Sequence, residues 1–115
     1  MQNSKIKKKI ITLIGPTACN KTSTAVHLIK KFPISIIGVD SVQIYKRFDI
    51  GSAKPPKEIL KKYKHHLVDS ADPENIFSVK DFYDQTYRIV MQAHSNNRIP
   101  LLVGGTMMYF NALFK

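Results

Sequence analysis

Short apolar runs alternate along this chain with longer stretches in which apolar residues recur every three or four positions. The uninterrupted runs are typical of strands that are buried on both faces of a parallel sheet. They occupy residues 9–14, 34–39, 66–69 and 99–103. Helical spacing and helix boundary signals predict helices at residues 21–31 and 57–63 and a last helix after residue 106. A capping box that begins at Ser78 predicts a further helix from residue 79 onward. Strands that alternate with helices predict an α/β fold, a parallel sheet flanked by helices.

The same spacing predicts which helical side chains face the sheet. In the first helix these are Ala25, Leu28, Ile29 and Phe32. In the long helix after Ser78 they are Val79, Phe82, Tyr83, Thr86, Val90 and Ala93.

The segment between the first strand and the first helix has the pattern of a phosphate-binding loop. It consists of Gly15, Pro16, Thr17, Ala18, Cys19, Asn20, Lys21 and Thr22. Backbone N–H groups and the helix dipole favour an anion at such a place, the lysine reaches the outer phosphates and the threonine hydroxyl binds Mg²⁺. Asn20 stands where the usual pattern has a second glycine, and asparagine tolerates the left-handed backbone that glycine would supply. The alternative is an ordinary strand-to-helix turn with a chance lysine.

Two more polar segments directly follow predicted strands. They are Asp40-Ser41 after the second strand and Gly104-Gly105-Thr106 after the last one. Ligands of open parallel sheets bind outside the carboxyl ends of the strands. We therefore expect the phosphate-binding loop and these two segments to converge on one crevice, which is the candidate active site.

Charge and cysteine content indicate the class of partner and the compartment. The net charge is +10 and the hydrophobic content is 43%, so a globular protein with a polyanionic partner is predicted, although a lysine-rich genome alone would also produce this charge. The single cysteine, Cys19, excludes an internal disulfide and indicates a cytoplasmic protein. No apolar run is long enough to span a membrane, so no membrane partner is expected.

Two other groups of side chains are less specific. Lys57, Lys61, Lys62 and Lys64 form a basic cluster that either contacts phosphates or is a solvated helix face. His65 and His66 have no matching ligand pair elsewhere in the sequence, so no metal site is predicted there.

Four segments, in this order and at this spacing, resemble those of the tRNA dimethylallyltransferases, also called tRNA isopentenylpyrophosphate transferases. They are residues 15–22, 39–46, 49–55 and 100–109, and the resemblance runs from about residue 9 to the C-terminus. The family transfers a dimethylallyl group from its diphosphate to N6 of the adenosine that follows the anticodon. The resemblance implies a P-loop NTPase-like sheet, Mg²⁺ as cofactor, and tRNA and dimethylallyl diphosphate as partners of a monomeric enzyme.

The resemblance also implies roles for individual residues. The loop from Gly15 to Thr22 would hold the diphosphate, with Thr22 as the metal ligand. Asp40 matches the general base, and Thr106 matches a second catalytic residue that contacts the tRNA. Asp40, Ser41, Val42 and Gln43 match the residues that bind the target adenosine. The alternatives are that Asp40 caps a helix or bonds to a water on Mg²⁺, and that Thr106 caps the last helix.

Members of this family continue well beyond the fourth segment. Residues 9–115 are therefore predicted to be the N-terminal part of a P-loop domain that is truncated at the C-terminus, without the insertion domain and later segments. Residues 1–8 are polar and basic, and they are predicted to be a lead-in to this domain. Such a chain would hold the diphosphate half of the site and little of the tRNA half. The alternative functions are a small P-loop kinase for a nucleotide or metabolite, and an inactive remnant with non-specific affinity for RNA.

Overall fold

The chain folds into a four-stranded parallel sheet with helices on both faces. This computed structural model describes residues 9–15, 21–46 and 54–114. The elements are β1 (Ile11–Ile14), α1 (Lys21–Lys31), β2 (Ile34–Val39), α2 (Lys57–Lys62), β3 (His65–His66), α3 (Val79–Ser95), β4 (Ile99–Gly104) and α4 (Met107–Leu113). The strand order is β1-β4-β2-β3 and every pair is parallel. The predicted α/β class is confirmed.

Several predictions concern residues outside the described ranges. They are the basic lead-in at 1–8, the loop residues Pro16, Thr17, Ala18, Cys19 and Asn20, and most of the segment at 49–55.

The two central strands carry the core. Because β2 and β4 are covered on both faces, their apolar side chains contribute to two separate clusters. On one face α1 packs its Ala25 against Ile34, Ile36 and Leu101. On the other face α3 and α4 pack against the opposite side chains of the same strands, and the rings of Phe82 and Tyr109 stack with centroids 4.1 Å apart. The sheet is thereby fixed between helices, as the uninterrupted apolar runs predict.

Helix α3 begins at the predicted capping box. The backbone N–H of Asp81 donates to Ser78 Oγ at 3.0 Å, and the N–H of Ser78 donates to Asp81 Oδ2 at 3.0 Å. These bonds lower the pKa of Asp81. They satisfy two of the N–H groups that a helix start leaves unpaired, so the sequence signal and the observed boundary agree.

Two residues predicted to face the core lie on the surface instead. Phe32 is 52% exposed and Tyr83 is 41% exposed. Phe32 follows the last residue of α1, where the chain turns into Pro33, so helical periodicity no longer sets its direction. Tyr83 lies next to Phe82 at the edge of the apolar face, and its ring stacks on that of Tyr87 with a centroid distance of 6.3 Å.

The predicted strand at 66–69 is wrong in its position and length. Strand β3 contains only His65 and His66, which pair with Ile36 and Ile37. Leu67 and Asp69 have φ angles of 62° and 55°, which end the extended backbone that a strand requires. The apolar pair Leu67 and Val68 is still buried, but in a turn.

No helix within the described ranges is both long and apolar enough to cross a membrane.

Candidate active site

Backbone contacts join the carboxyl ends of β1, β4 and β2. The N–H of Gly15, which follows β1, donates to Gly104 O at 3.2 Å. The N–H of Thr106, which follows β4, donates to Val39 O at 3.2 Å. A Cβ atom on Gly104 would lie 2.0 Å from Val39 O, so only glycine permits this approach. The three segments predicted to converge are therefore held together by main-chain atoms.

Thr106 connects the last strand end to the segment after β2. Its Oγ1 accepts a hydrogen bond from the backbone N–H of Ser41 at 3.0 Å and lies 3.5 Å from Ser41 Oγ. Thr106 occupies the N-cap position of α4, but its side chain makes no capping hydrogen bond to that helix. Thr106 is thus the N-cap residue of α4, as the alternative predicts, but its hydroxyl bonds to the segment after β2 and not to the helix.

The carboxylate of Asp40 closes the turn that follows β2. Its Oδ1 accepts from the N–H of Val42 at 2.8 Å and from the N–H of Gln43 at 3.0 Å. This is the turn-forming geometry that aspartate favours, and no helix begins here. Among the described residues, every hydrogen bond of this carboxylate goes to Oδ1.

Asp40 lines a cavity of about 190 Å³ at the carboxyl ends of the strands. Lys21 and Thr22, at the start of α1, share it with Asp40 and Gln43. The ammonium group of Lys21 donates to Gly15 O, which keeps the charge at the end of β1. A cation, a hydroxyl and a carboxylate thus face one space, which suits a ligand that carries a phosphate group and a group that loses a proton.

Of the other predicted site residues, Ser41 and Thr106 bond to each other beside the cavity rather than lining it. Val42 is 46% exposed and does not line it either. The roles of all these residues stay predictions, since placement alone does not assign them.

His65 lines the cavity although no role for it is predicted from the sequence. Burial lowers its pKa, and a hydrogen bond of 2.7 Å between its Nδ1 and Tyr63 O opposes that shift without cancelling it. The imidazole is therefore neutral near pH 7. No local pattern could have indicated this position, because His65 reaches the cavity only through the pairing of β3 with β2.

Metal binding at this cavity depends on few protein ligands. Within the described ranges, no three His, Cys, Asp or Glu side chains form a group that could hold a metal ion. Mg²⁺ commonly keeps several waters and binds one or two carboxylates together with substrate phosphates. The Thr22 hydroxyl and the Asp40 carboxylate, which line the same cavity, fit such a site.

The sequence profile of the IPP transferases matches residues 43–115, which is more than half of the chain. The chain belongs to the IPP transferase family. A tRNA dimethylallyltransferase of Dichelobacter nodosus is 49% identical over 105 residues, which are 91% of this chain and 33% of the relative. That of Buchnera aphidicola subsp. Baizongia pistaciae is 49% identical over 110 residues, 95% of this chain and 34% of the relative.

Solved structures of the family have the same architecture. The tRNA isopentenylpyrophosphate transferase of Bacillus halodurans is 43% identical, with a TM-score of 0.85 over 93% of this chain and 35% of that one. A eukaryotic dimethylallyltransferase acting on tRNA is 29% identical, with a TM-score of 0.84 over 90% of this chain and 26% of that one. This chain therefore spans about a third of the length of the curated relatives it matches.

Proposed function

We propose that this chain supplies the donor-binding and proton-accepting part of an enzyme that transfers a dimethylallyl group to an adenosine of tRNA. The observation that carries the proposal is the shared cavity of Lys21 and Asp40 at the carboxyl ends of the strands. Relatives named tRNA dimethylallyltransferase support the reaction class. The donor is dimethylallyl diphosphate and the acceptor is N6 of the adenosine.

In this reaction N6 forms a bond to the allylic carbon while the bond from that carbon to the diphosphate oxygen breaks. Negative charge grows on the departing diphosphate. The ammonium group of Lys21 and the N–H groups at the start of α1 oppose that charge from fixed positions, which stabilises the transition state more than the bound donor. The loop that begins at Gly15 would hold the diphosphate.

Asp40 would accept the proton that N6 loses. The N–H groups of Val42 and Gln43 hold Oδ1, so the carboxylate cannot rotate freely and Oδ2 keeps one direction. A base positioned in this way typically accelerates a reaction by about 10²–10⁴-fold. The Ser41–Thr106 hydrogen bond would keep the segment that carries Asp40 at its place beside β4.

Mg²⁺ bound by the Thr22 hydroxyl, with Asp40 nearby, would neutralise part of the diphosphate charge.

The target adenosine must leave its stack to reach a cavity of this size, so we propose that it is flipped out of the anticodon loop. The same proposal includes a cytoplasmic, monomeric enzyme. Its net charge of +10 suits tRNA, which is a polyanion.

Donor binding can be tested on the 115-residue chain itself. Calorimetry with dimethylallyl diphosphate and, separately, with ATP distinguishes this function from a kinase. We expect binding of the diphosphate with Mg²⁺ present and weaker binding of ATP. A clear preference for ATP would contradict the proposal.

Transfer can be tested in a chimera that joins this chain to the remaining two-thirds of the Bacillus halodurans enzyme. Asp40→Asn should lower the rate of transfer to tRNA by about 10²–10⁴-fold and leave donor binding nearly unchanged. The matched control is Asp84→Asn, because Asp84 is an exposed residue of α3 that pairs with Lys80. Near-normal turnover of the Asp40→Asn chimera would exclude Asp40 as the base.

A further inference from the structure

A second cavity, of about 360 Å³, opens at the amino ends of the strands. Its walls come from the start of β2, the segment between α2 and β3, and the C-terminal end of α3. Four of the lining residues are basic: Lys62, Lys64, His66 and Arg98. No Asp or Glu belongs to the described residues that line it, so no carboxylate of the lining compensates this charge.

Arg98 is fixed in the wall of this cavity. Its Nε donates to Ser35 Oγ at 3.0 Å, and its Nη2 donates to Ile34 O. A guanidinium group has five N–H donors in a rigid fork, so donors remain after these two bonds. An arginine held in this way loses little further freedom when it binds an anion, which makes binding more favourable.

The positive charges act on one another across the cavity. The pKa of His66 is lowered, first by burial and then by the charges of Lys64 and Arg98. Charges of one sign that lie close together raise the free energy of the folded protein, and a bound anion removes that repulsion. The amide side chains of Gln92 and Asn96 also line the space and supply uncharged donors.

The structure also separates the lysines that the sequence grouped together. All three of Lys61, Lys62 and Lys64 are exposed, but only Lys62 and Lys64 line this cavity. Lys57 lies beside Pro55 and Asp69 at a different place. The basic cluster is therefore not simply a solvated helix face, because part of it lines the same cavity as Arg98.

We propose that this cavity binds a phosphate group, with Arg98 and Lys64 as its principal ligands. Arginine matches phosphate oxygens with two parallel hydrogen bonds, and lysine adds a point charge. The site lies at the opposite end of the strands from Asp40 and is independent of the proposed transfer reaction. The phosphate group is that of free inorganic phosphate or that of an RNA backbone, and the two sources are distinguished by experiment.

The test uses the whole 115-residue chain in two NMR titrations, one with inorganic phosphate and one with an anticodon stem-loop RNA. Binding of phosphate should shift the signals of His66 and Arg98 and raise the pKa of His66. Lys64→Gln should weaken that binding about ten-fold, as the loss of a charge-assisted hydrogen bond predicts. Lys61→Gln is the matched control and should have little effect.

Arg98→Gln should weaken binding at least as much as Lys64→Gln, with Arg88→Gln as its control on the exposed side of α3. If Arg98→Gln unfolds the protein, Lys64→Gln still decides, because the described structure gives Lys64 no hydrogen bond to lose. Shifts with RNA alone that depend on Lys64 and not on Lys61 assign the RNA backbone as the source. No shifts with either probe, or equal effects of Lys61→Gln and Lys64→Gln, would overturn the proposal.

Failure here leaves the proposed function untouched, because the donor binds at the other end of the strands. Lys64→Gln should not change the affinity for dimethylallyl diphosphate, and Asp40→Asn should not change the affinity of this cavity for phosphate.

Discussion

The two ends of the parallel sheet differ in the kinds of contact that hold them together. At the carboxyl ends, main-chain atoms of neighbouring strands meet directly, as in the bonds from Gly15 to Gly104 and from Thr106 to Val39. At the amino ends the backbone N–H of Ile99 donates to Pro33 O at 2.7 Å, and a long side chain adds to this contact through the bonds of Arg98 to Ser35 and Ile34. Where main-chain atoms of two strands meet directly, one added side-chain atom disturbs the approach of the strands. A cavity formed by long side chains allows their charges to change with little effect on the fold.

The largest effect should follow a substitution that separates the strands at the carboxyl ends. In Gly104→Ala the new Cβ would lie 2.0 Å from Val39 O, a backbone atom that cannot turn away. We expect the free energy of unfolding to fall by about 3 kcal/mol, as for severe overpacking. Urea denaturation measures it.

Gly38→Ala is the matched control, because the nearest atom to its Cβ is a side-chain methyl group of Val68, at 2.6 Å, and the nearest backbone atom, Leu67 O, is 3.3 Å away. A loss of about 1 kcal/mol is expected there. If both variants lost the same free energy of unfolding, the close backbone approach of β4 to β2 at Gly104 would not be what distinguishes the carboxyl ends.

The two ends of the sheet also differ in how much of each cavity can be predicted from the sequence. Lys21 and Asp40 were placed correctly, because each follows a strand and the carboxyl ends of parallel strands share one edge. The cavity at the amino ends was not predicted. Arg98 and Lys64 come to line one cavity only through the pairing of strands that are distant in the sequence, and no local spacing encodes such a pairing.

Errors within elements have local causes. Leu67 is apolar and follows two strand residues, but its φ of 62° ends β3, and apolar patterning alone does not determine a backbone angle. His65 had no motif around it and still lines the candidate active site. The role of Val42 stays a prediction, although its side chain is largely exposed.

A smaller effect is expected from the loss of one charge at the carboxyl ends. Lys21→Ala should weaken dimethylallyl diphosphate binding about ten-fold, because it removes a charge-assisted contact to phosphate. Lys30→Ala, in the last turn of the same helix, is the control and should bind normally. Unchanged affinity of the Lys21→Ala protein in calorimetry would remove the loop from the mechanism.

The hydrogen bond between Thr106 and Ser41 should contribute less. Thr106→Val keeps the shape of the side chain and leaves the N–H of Ser41 without its acceptor, at a cost of about 1 kcal/mol in unfolding free energy. Thr106→Ser keeps the acceptor and should retain most of the stability. Thermal denaturation of both variants provides the measurement, and equal stability would show that the methyl group matters more than the oxygen.

The smallest expected effect is a pH dependence of the unfolding free energy that arises from two neighbouring histidines of β3, one at each end of the sheet. His65 lines the cavity at the carboxyl ends and His66 the cavity at the amino ends, and the pKa of each is lowered from 6.5, mainly by burial. The unfolded chain therefore binds more protons than the folded protein as the pH falls below about 6.5. Unfolding free energy should decrease over that range and become level below the folded pKa values.

Urea midpoints measured across this pH range separate the two histidines. Each of the variants His65→Gln and His66→Gln should remove part of the decrease. In the His65→Gln protein the remaining decrease belongs to His66, and inorganic phosphate should reduce it, because an anion beside His66 favours its protonated form. In the His66→Gln protein the remaining decrease belongs to His65, and phosphate should leave it unchanged. If phosphate reduced the decrease equally in both variants, the anion would not distinguish the two ends of the sheet.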